Sequence, residues 1–157
     1  LGRAFEAHLQ AWIVQQIGRG TCSQLDSLLL DGMEMEWLGN EVSCGVGMQR
    51  IDIVLSLVNN HRRKCVPIEL KAIEASEDVI HQMQRYVDWL NQYYIPNRPS
   101  DIEPTLITLK PQTRSQQDES SLIRVAQHFN KQNADCLQIR IIEYTIEPDT
   151  ISFSQLI

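Results

Sequence analysis

Two acidic residues of this 157-residue chain stand inside apolar runs, and a lysine follows the second of them at a spacing of two. Asp52 lies between Ile51 and Ile53 in Arg50-Ile-Asp52-Ile-Val, and Glu69 lies between Ile68 and Leu70 in Val66-Pro-Ile-Glu-Leu-Lys71. Side chains alternate along a strand, so Glu69 and Lys71 share one face while Leu70 enters the opposite packing layer. If the two runs pair as neighbours, backbones about 4.8 Å apart bring Asp52 into the same small volume. Apolar strands exclude carboxylates unless these are paired, hydrogen-bonded or bound to a cation. Two acids so placed repel, and one of them titrates high until a positive charge neutralises them. Hard oxygen donors of this kind suit Mg2+ or Mn2+, which keep several waters and bind one or two carboxylates together with a substrate phosphate. Such an ion polarises a phosphoryl oxygen, acidifies a water and stabilises the leaving oxygen of an in-line displacement. Lys71 is expected to orient the attacking water and offset charge on the scissile phosphate, or to act as a general base if desolvation makes its amine neutral. Glu-x-Lys at strand spacing is also ordinary surface charge on many sheets. The apolar neighbours of both acids separate this case from that one.

The elements that must position these residues are legible as changes of period. Phe5, Leu9, Trp12 and Ile13 recur at helical spacing, which predicts an amphipathic helix from the start of the chain to Gly18 and Gly20, with Glu6 beside its apolar stripe. Met-Glu-Met-Glu-Trp within 33–44 alternates like a strand with one wet face, and Gly45-Val-Gly47 supplies a turn. The run 50–58 reads as a strand covered on both faces, 59–64 as a polar reversal, and 65–71 as a third strand. Pro67 within it predicts a locally unpaired or bulged position. Ser76, Glu77 and Asp78 mark a helix start, and Val79, Met83, Tyr86, Val87 and Leu90 carry that helix to about Tyr94. A loop over 95–101, a strand over 105–109, a helix over about 118–130, a strand over 137–146 and a short extension over 151–157 complete the order. The expected architecture is α/β, a mixed central sheet flanked by helices.

Composition narrows the classes. The chain is long enough to bury a core without disulfides or a structural metal, and one domain over 1–157 is expected. It opens without an initiator Met, which suggests a domain excised from a longer protein. No apolar run approaches the roughly 20 residues of a bilayer span, so no membrane partner is expected. Cys22, Cys44, Cys65 and Cys136 are scattered without a CxxC pair, as for reduced cytoplasmic thiols, and His8, His61, His81 and His128 show no metal-ligand spacing. A net charge of -6 argues against gripping nucleic acid by a basic face alone. The loop Arg62-Arg-Lys64 reads either as a phosphate contact or as solvated charge, and Trp12, Trp37 and Trp89 as core or interface anchors.

With these blocks in place, the chain resembles the PD-(D/E)XK nuclease superfamily, Asp52 taking the first acidic position and Glu69-Leu-Lys71 the (D/E)XK element. The aspartate strand, the Glu-Leu-Lys strand and Gln82-Met-Gln-Arg-Tyr86 together are similar to the catalytic domain of NucS (EndoMS)-type endonucleases, over a stretch bounded by Glu6 and Pro111. The resemblance implies a restriction-endonuclease-like αβββαβ core and Mg2+- or Mn2+-dependent cleavage of DNA in the cytoplasm. It implies that Asp52 and Glu69 are metal ligands, Lys71 is the catalytic lysine, Glu6 lies near the metal and Gln82 supports the site. Arg50, Arg85 and Tyr86 would face nucleic acid, although a core-packing ring for Tyr86 and plain surface charge for Arg85 are the competing readings. A homodimer, or a further DNA-binding domain outside this chain, would supply the grip that the acidic charge denies it. Nothing after Pro111 matches the family pattern. Two other readings fit the same residues: a restriction or defence-system effector nuclease of this fold, and a non-catalytic module for oligomerisation or nucleic-acid binding.

Overall fold

The apolar stripe of Leu9 and Ile13 lies on helix α1, Gly2–Gln16, which buries it against the sheet. The helix stops where Gly18 and Gly20 take left-handed backbone conformations, φ 74° and 71°. Their N–H groups donate to the carboxylate of Asp26 at 2.7 and 3.1 Å. Asp26 belongs to α2, Ser23–Leu30, an eight-residue helix not anticipated from the sequence. So short a helix has no independent stability, and burial of Leu25 and Leu29 one turn apart supplies it. These details belong to a computed structural model that describes residues 2–94 and 101–157, so all but the last residue of the loop read over 95–101 lies outside the described residues.

The strands follow as β1 Glu34–Ser43, β2 Arg50–Val58, β3 Arg63–Lys71, β4 Thr105–Leu109, β5 Arg140–Ile146 and β6 Ile151–Gln155. Helix α3, Glu77–Trp89, runs on into a π-helical turn over Leu90–Tyr94 and leads toward β4, while α4, Gln116–Gln132, joins β4 to β5. The six strands form one sheet in chain order. The β1–β2–β3 meander and the β5–β6 pair are antiparallel, and β3–β4 and β4–β5 are parallel. Parallel neighbours need long crossovers, and α3 and α4 lie in them. One face buries Ile53, Leu55, Ile68, Leu70, Ile107 and Tyr144 under α1 and α2. The other buries Val54, Cys65, Leu106 and Ile141 under α3 and α4. The protein is therefore α/β, with an open mixed sheet and helices on both faces. Among the described residues no helix is long and apolar enough to cross a membrane, and all four cysteines are free thiols.

Three expectations need correction. Pro67 is not bulged: it stands opposite Val54 in an uninterrupted β2–β3 register, and it is unpaired only on its other side. Because the Leu70 N–H points toward β2, alternation turns the missing N–H of Pro67 toward β4, whose ladder with β3 begins one residue later at Ile68 and Thr105. Lys64 is not part of a solvated loop. It sits within β3, almost wholly buried, with Nζ 2.9 Å from Glu103 and 3.5 Å from Asp31. Arg140 reaches the same Glu103 at 3.1 Å, so the carboxylate is shared by two cations. Helix α4 begins earlier than residue 118 because Ser115 is its cap, accepting the Asp118 N–H at 3.1 Å.

Candidate active site

Strands β2 and β3 pair from Val58 and Arg63 as far as Ile53 and Ile68, where their ladder ends. One step beyond, the Leu70 N–H donates not to a β2 carbonyl but to Asp52 Oδ2 at 2.8 Å. The aspartate side chain replaces a rung of the sheet, and the strands fork at that point. The fork satisfies a buried amide and holds Asp52 in place.

Glu69, only 2% exposed, lies across the fork. Its Oε1 is 2.6 Å from Lys71 Nζ, and its Oε2 is 2.6 Å from the Tyr86 hydroxyl. That hydroxyl also lies 2.9 Å from the main-chain oxygen of Arg50 and accepts a bond from Gln82 Nε2 at 2.6 Å. Gln82 and Tyr86 are four apart on α3, so they stand on one helix face and act on Glu69 in series. Tyr86 is 1% exposed. Its ring packs in the core and its oxygen serves Glu69, which corrects the expectation that it faces nucleic acid. Arg85 beside it is exposed, and Arg50 is exposed with its guanidinium 3.7 Å from Glu41.

The electrostatics divide the acids unequally. Lys71 neutralises Glu69 at contact distance. Asp52 has no such partner: burial and then the neighbouring Glu69 push its carboxyl up to about 7, against the opposing Leu70 N–H and Lys71. A third carboxylate, Glu41, adds to that push. It lies opposite Asp52 in the β1–β2 register, between the pairs Asn40–Ile53 and Val42–Ile51, with a left-handed φ of 54° that is strained for a residue other than glycine.

Helix α1 closes the arrangement from the opposite face. Buried Gln10 donates through Nε2 to the Asp52 carbonyl oxygen at 2.9 Å and to Glu41 Oε1 at 3.0 Å, and it reaches Asn40 Oδ1 as well. Glu6 accepts the Ala72 N–H at 3.1 Å, one residue past Lys71, so it docks α1 on the end of β3. Neither Gln10 nor Glu41 was singled out from the sequence. A glutamine following Leu9 and three residues ahead of Ile13 was the available signal, since it flanks the apolar stripe. Gln10→Leu is expected to cost about 1–3 kcal/mol in urea unfolding, because the acceptors that share its two amide hydrogens lose their donor together. A midpoint unchanged from wild type would show that water replaces the amide.

On the face that carries Glu69, the register places Lys71, Thr108 and Glu143 in one row across β3, β4 and β5. Glu143 is buried and ion-paired with Arg114 ahead of α4. Arg114 and Glu143 belong to the segment after Pro111, to which no motif was assigned.

No protein-family model matches the chain, and no curated protein matches its sequence. What fold and site define on their own is an α/β protein whose forked β2–β3 pair presents a buried carboxylate, a half-buried one and a lysine. Among the described residues no group of three or more His, Cys, Asp or Glu side chains is placed to hold a metal ion, so a closed zinc site of four protein ligands does not fit. Two adjacent carboxylates, one of them lacking a counter-charge, do fit a hard ion that keeps waters and takes substrate oxygen.

Proposed function

We propose that the protein is a Mg2+- or Mn2+-dependent endonuclease that hydrolyses phosphodiester bonds in DNA, built on a restriction-endonuclease-like core. The observation that carries the proposal is the fork at Asp52 and Glu69, where a half-buried and a buried carboxylate meet beside Lys71. The order of α1, β1, β2, β3, α3 and β4 is that of an αβββαβ core with α2 added after the first helix.

Asp52 and Glu69 are the residues that would hold the ion, which when bound supplies Lewis-acid charge at the phosphate and acidifies the attacking water. The chain's own groups do the rest. The Leu70 N–H fixes Asp52, and Tyr86 and Gln82 fix Glu69, so neither carboxylate must reorganise as charge develops. Lys71, on the same face as Glu69, carries positive charge to the scissile phosphate and orients the nucleophile. Exposed Arg50 and Arg85 border the site and supply phosphate contacts. The acidic net charge leaves most of the DNA grip to a second copy or to another domain. Mismatched or branched DNA, as in repair, and the substrates of a restriction or defence-system effector are the alternatives within this class.

The test is cleavage of supercoiled plasmid and synthetic duplexes in Mg2+, Mn2+ or EDTA. Nicking in either metal and none in EDTA is the expected outcome. Cleavage that persists in EDTA, or no cleavage of plasmid, mismatched, branched or single-stranded DNA in either metal, would refute the proposal and favour a non-catalytic module.

A further inference from the structure

Lys71 is the last residue of β3, and the fork that opens the site also strips that strand end of a neighbour. The β2–β3 ladder stops at Ile68, and the pairing of β3 with β4 ends at Lys71 and Thr108. A strand tip with an open edge frays. An ammonium that must meet one phosphate oxygen is effective only on a backbone that stays fixed.

Three side chains from three other elements close the tip. Tyr144 on β5 donates its hydroxyl to the Lys71 carbonyl at 3.2 Å, Glu6 on α1 accepts the Ala72 N–H at 3.1 Å, and Thr108 on β4 donates its hydroxyl to the Ile73 carbonyl at 2.7 Å. Three successive residues are thus held, each by a partner at least 35 positions away in the chain. A neighbouring strand would serve these main-chain groups in the middle of a sheet, and here side chains stand in for it. The supports come from both layers. Tyr144 belongs to the core under α1, with the Phe5 ring 6.3 Å away, whereas Thr108 is two residues from Leu106 of the opposite core. Both Tyr144 and Thr108 are wholly buried. Burial, and then the Glu6 carboxylate, push the Tyr144 hydroxyl up to about 12, so it remains a donor throughout the neutral range.

We propose that Thr108 and Tyr144 are positioning residues: with Glu6 they lock the backbone of Lys71, Ala72 and Ile73, so that the Lys71 ammonium meets the scissile phosphate in one geometry. This rests on the nuclease reading and extends it to β4 and β5, beyond the fork itself. Both hydroxyls bond main-chain carbonyls and neither carboxylate of the fork, so they govern turnover and leave metal and substrate affinity alone.

The experiment compares wild type with T108V, T108S and Y144F by amide hydrogen exchange of the metal-free chain and by steady-state cleavage of duplex DNA in Mn2+. In T108V and Y144F the Ala72 amide is expected to exchange about tenfold faster than in wild type. Their kcat is expected to fall about tenfold, with KM and the Mn2+ affinity measured by calorimetry unchanged. T108S keeps the hydroxyl and is expected to retain wild-type exchange and turnover. Because both hydroxyls act through one strand tip, T108V/Y144F should lose less than the product of the single losses. The two substitutions lie on different strands and in different layers, so a fold defect in one, seen in its melting temperature, leaves the other to decide. Unchanged exchange, faster exchange with unchanged kcat, or a loss in KM or Mn2+ affinity in place of kcat would each overturn the positioning role. Wild type that cleaves nothing fails the nuclease reading and this role with it, whereas active wild type beside equally active T108V and Y144F removes this inference alone.

Discussion

Lys71→Met is expected to reduce DNA cleavage a hundredfold or more and to lower metal-free stability by about 3 kcal/mol. Both effects follow from one contact. Glu69 is almost fully buried, with Lys71 Nζ 2.6 Å from one carboxylate oxygen and the Tyr86 hydroxyl on the other. Removing the ammonium leaves a buried carboxylate with a single neutral donor, and an unpaired buried charge costs more than the pair contributes. Adding Glu69→Gln to Lys71→Met therefore restores most of the stability, because the amide carries no charge and still accepts from Tyr86. Activity does not return, since the carboxylate and the ammonium are both gone. Urea unfolding of the two single variants and the double variant reads the coupling directly. Additive losses of stability would mean that Lys71 and Glu69 do not depend on each other, and cleavage within a few-fold of wild type would remove Lys71 from the mechanism.

Asp52→Asn is expected to do the reverse to stability while also abolishing cleavage. Burial and Glu69 raise the Asp52 carboxyl to about 7 from an ordinary 3.8. The folded state thus binds this proton more tightly than the unfolded chain, so this group's contribution to stability is fully present below pH 4, falls as pH rises to about 7, and is level above that. At pH 8 the ionised carboxylate costs the metal-free protein on the order of 2–4 kcal/mol. Asparagine removes that charge and keeps an oxygen for the Leu70 N–H, so at pH 8 the variant should melt roughly 5–10 °C above wild type. Near pH 4 the difference should vanish. Mg2+ or Mn2+ should stabilise wild type at pH 8, do so less as protons compete below pH 7, and leave the variant unmoved. A variant that melts below wild type at pH 8, or that gains as much from Mn2+, would show that Asp52 is neither strained by its surroundings nor a ligand.

These two variants differ because the fork compensates its acids unequally. Lys71 is two residues from Glu69 on one strand, so their pairing is local and survives without a cation. Asp52 comes from the other strand, with Glu41 facing it from a third. Its charge is tolerated in the folded protein at a cost that a divalent ion would lift.

Much of this was legible in the chain because it depends on near neighbours. Strand alternation put Glu69 and Lys71 on one face and Leu70 on the other, the Gln82-Met-Gln-Arg-Tyr86 block marked α3 by resemblance, and apolar periodicity located the long elements. Even the misread positions failed locally for tertiary reasons. Pro67 is harmless because its missing donor faces a stretch where β4 has not yet begun pairing, and Lys64 is buried because Glu103 and Asp31 arrive to meet it. α2 forms because the sheet offers Leu25 and Leu29 a surface, which eight residues alone do not announce.

What only the tertiary structure decided is every contact whose partners are far apart in sequence. Gln10 under Asp52, Glu41 opposite it, Tyr86 on Glu69, and the row of Lys71, Thr108 and Glu143 each require strands or helices to be laid side by side first. Periodicity reports which face a side chain takes. It carries no information on which other element will cover that face, and burial, with the charge shifts that follow from it, is set by that second fact.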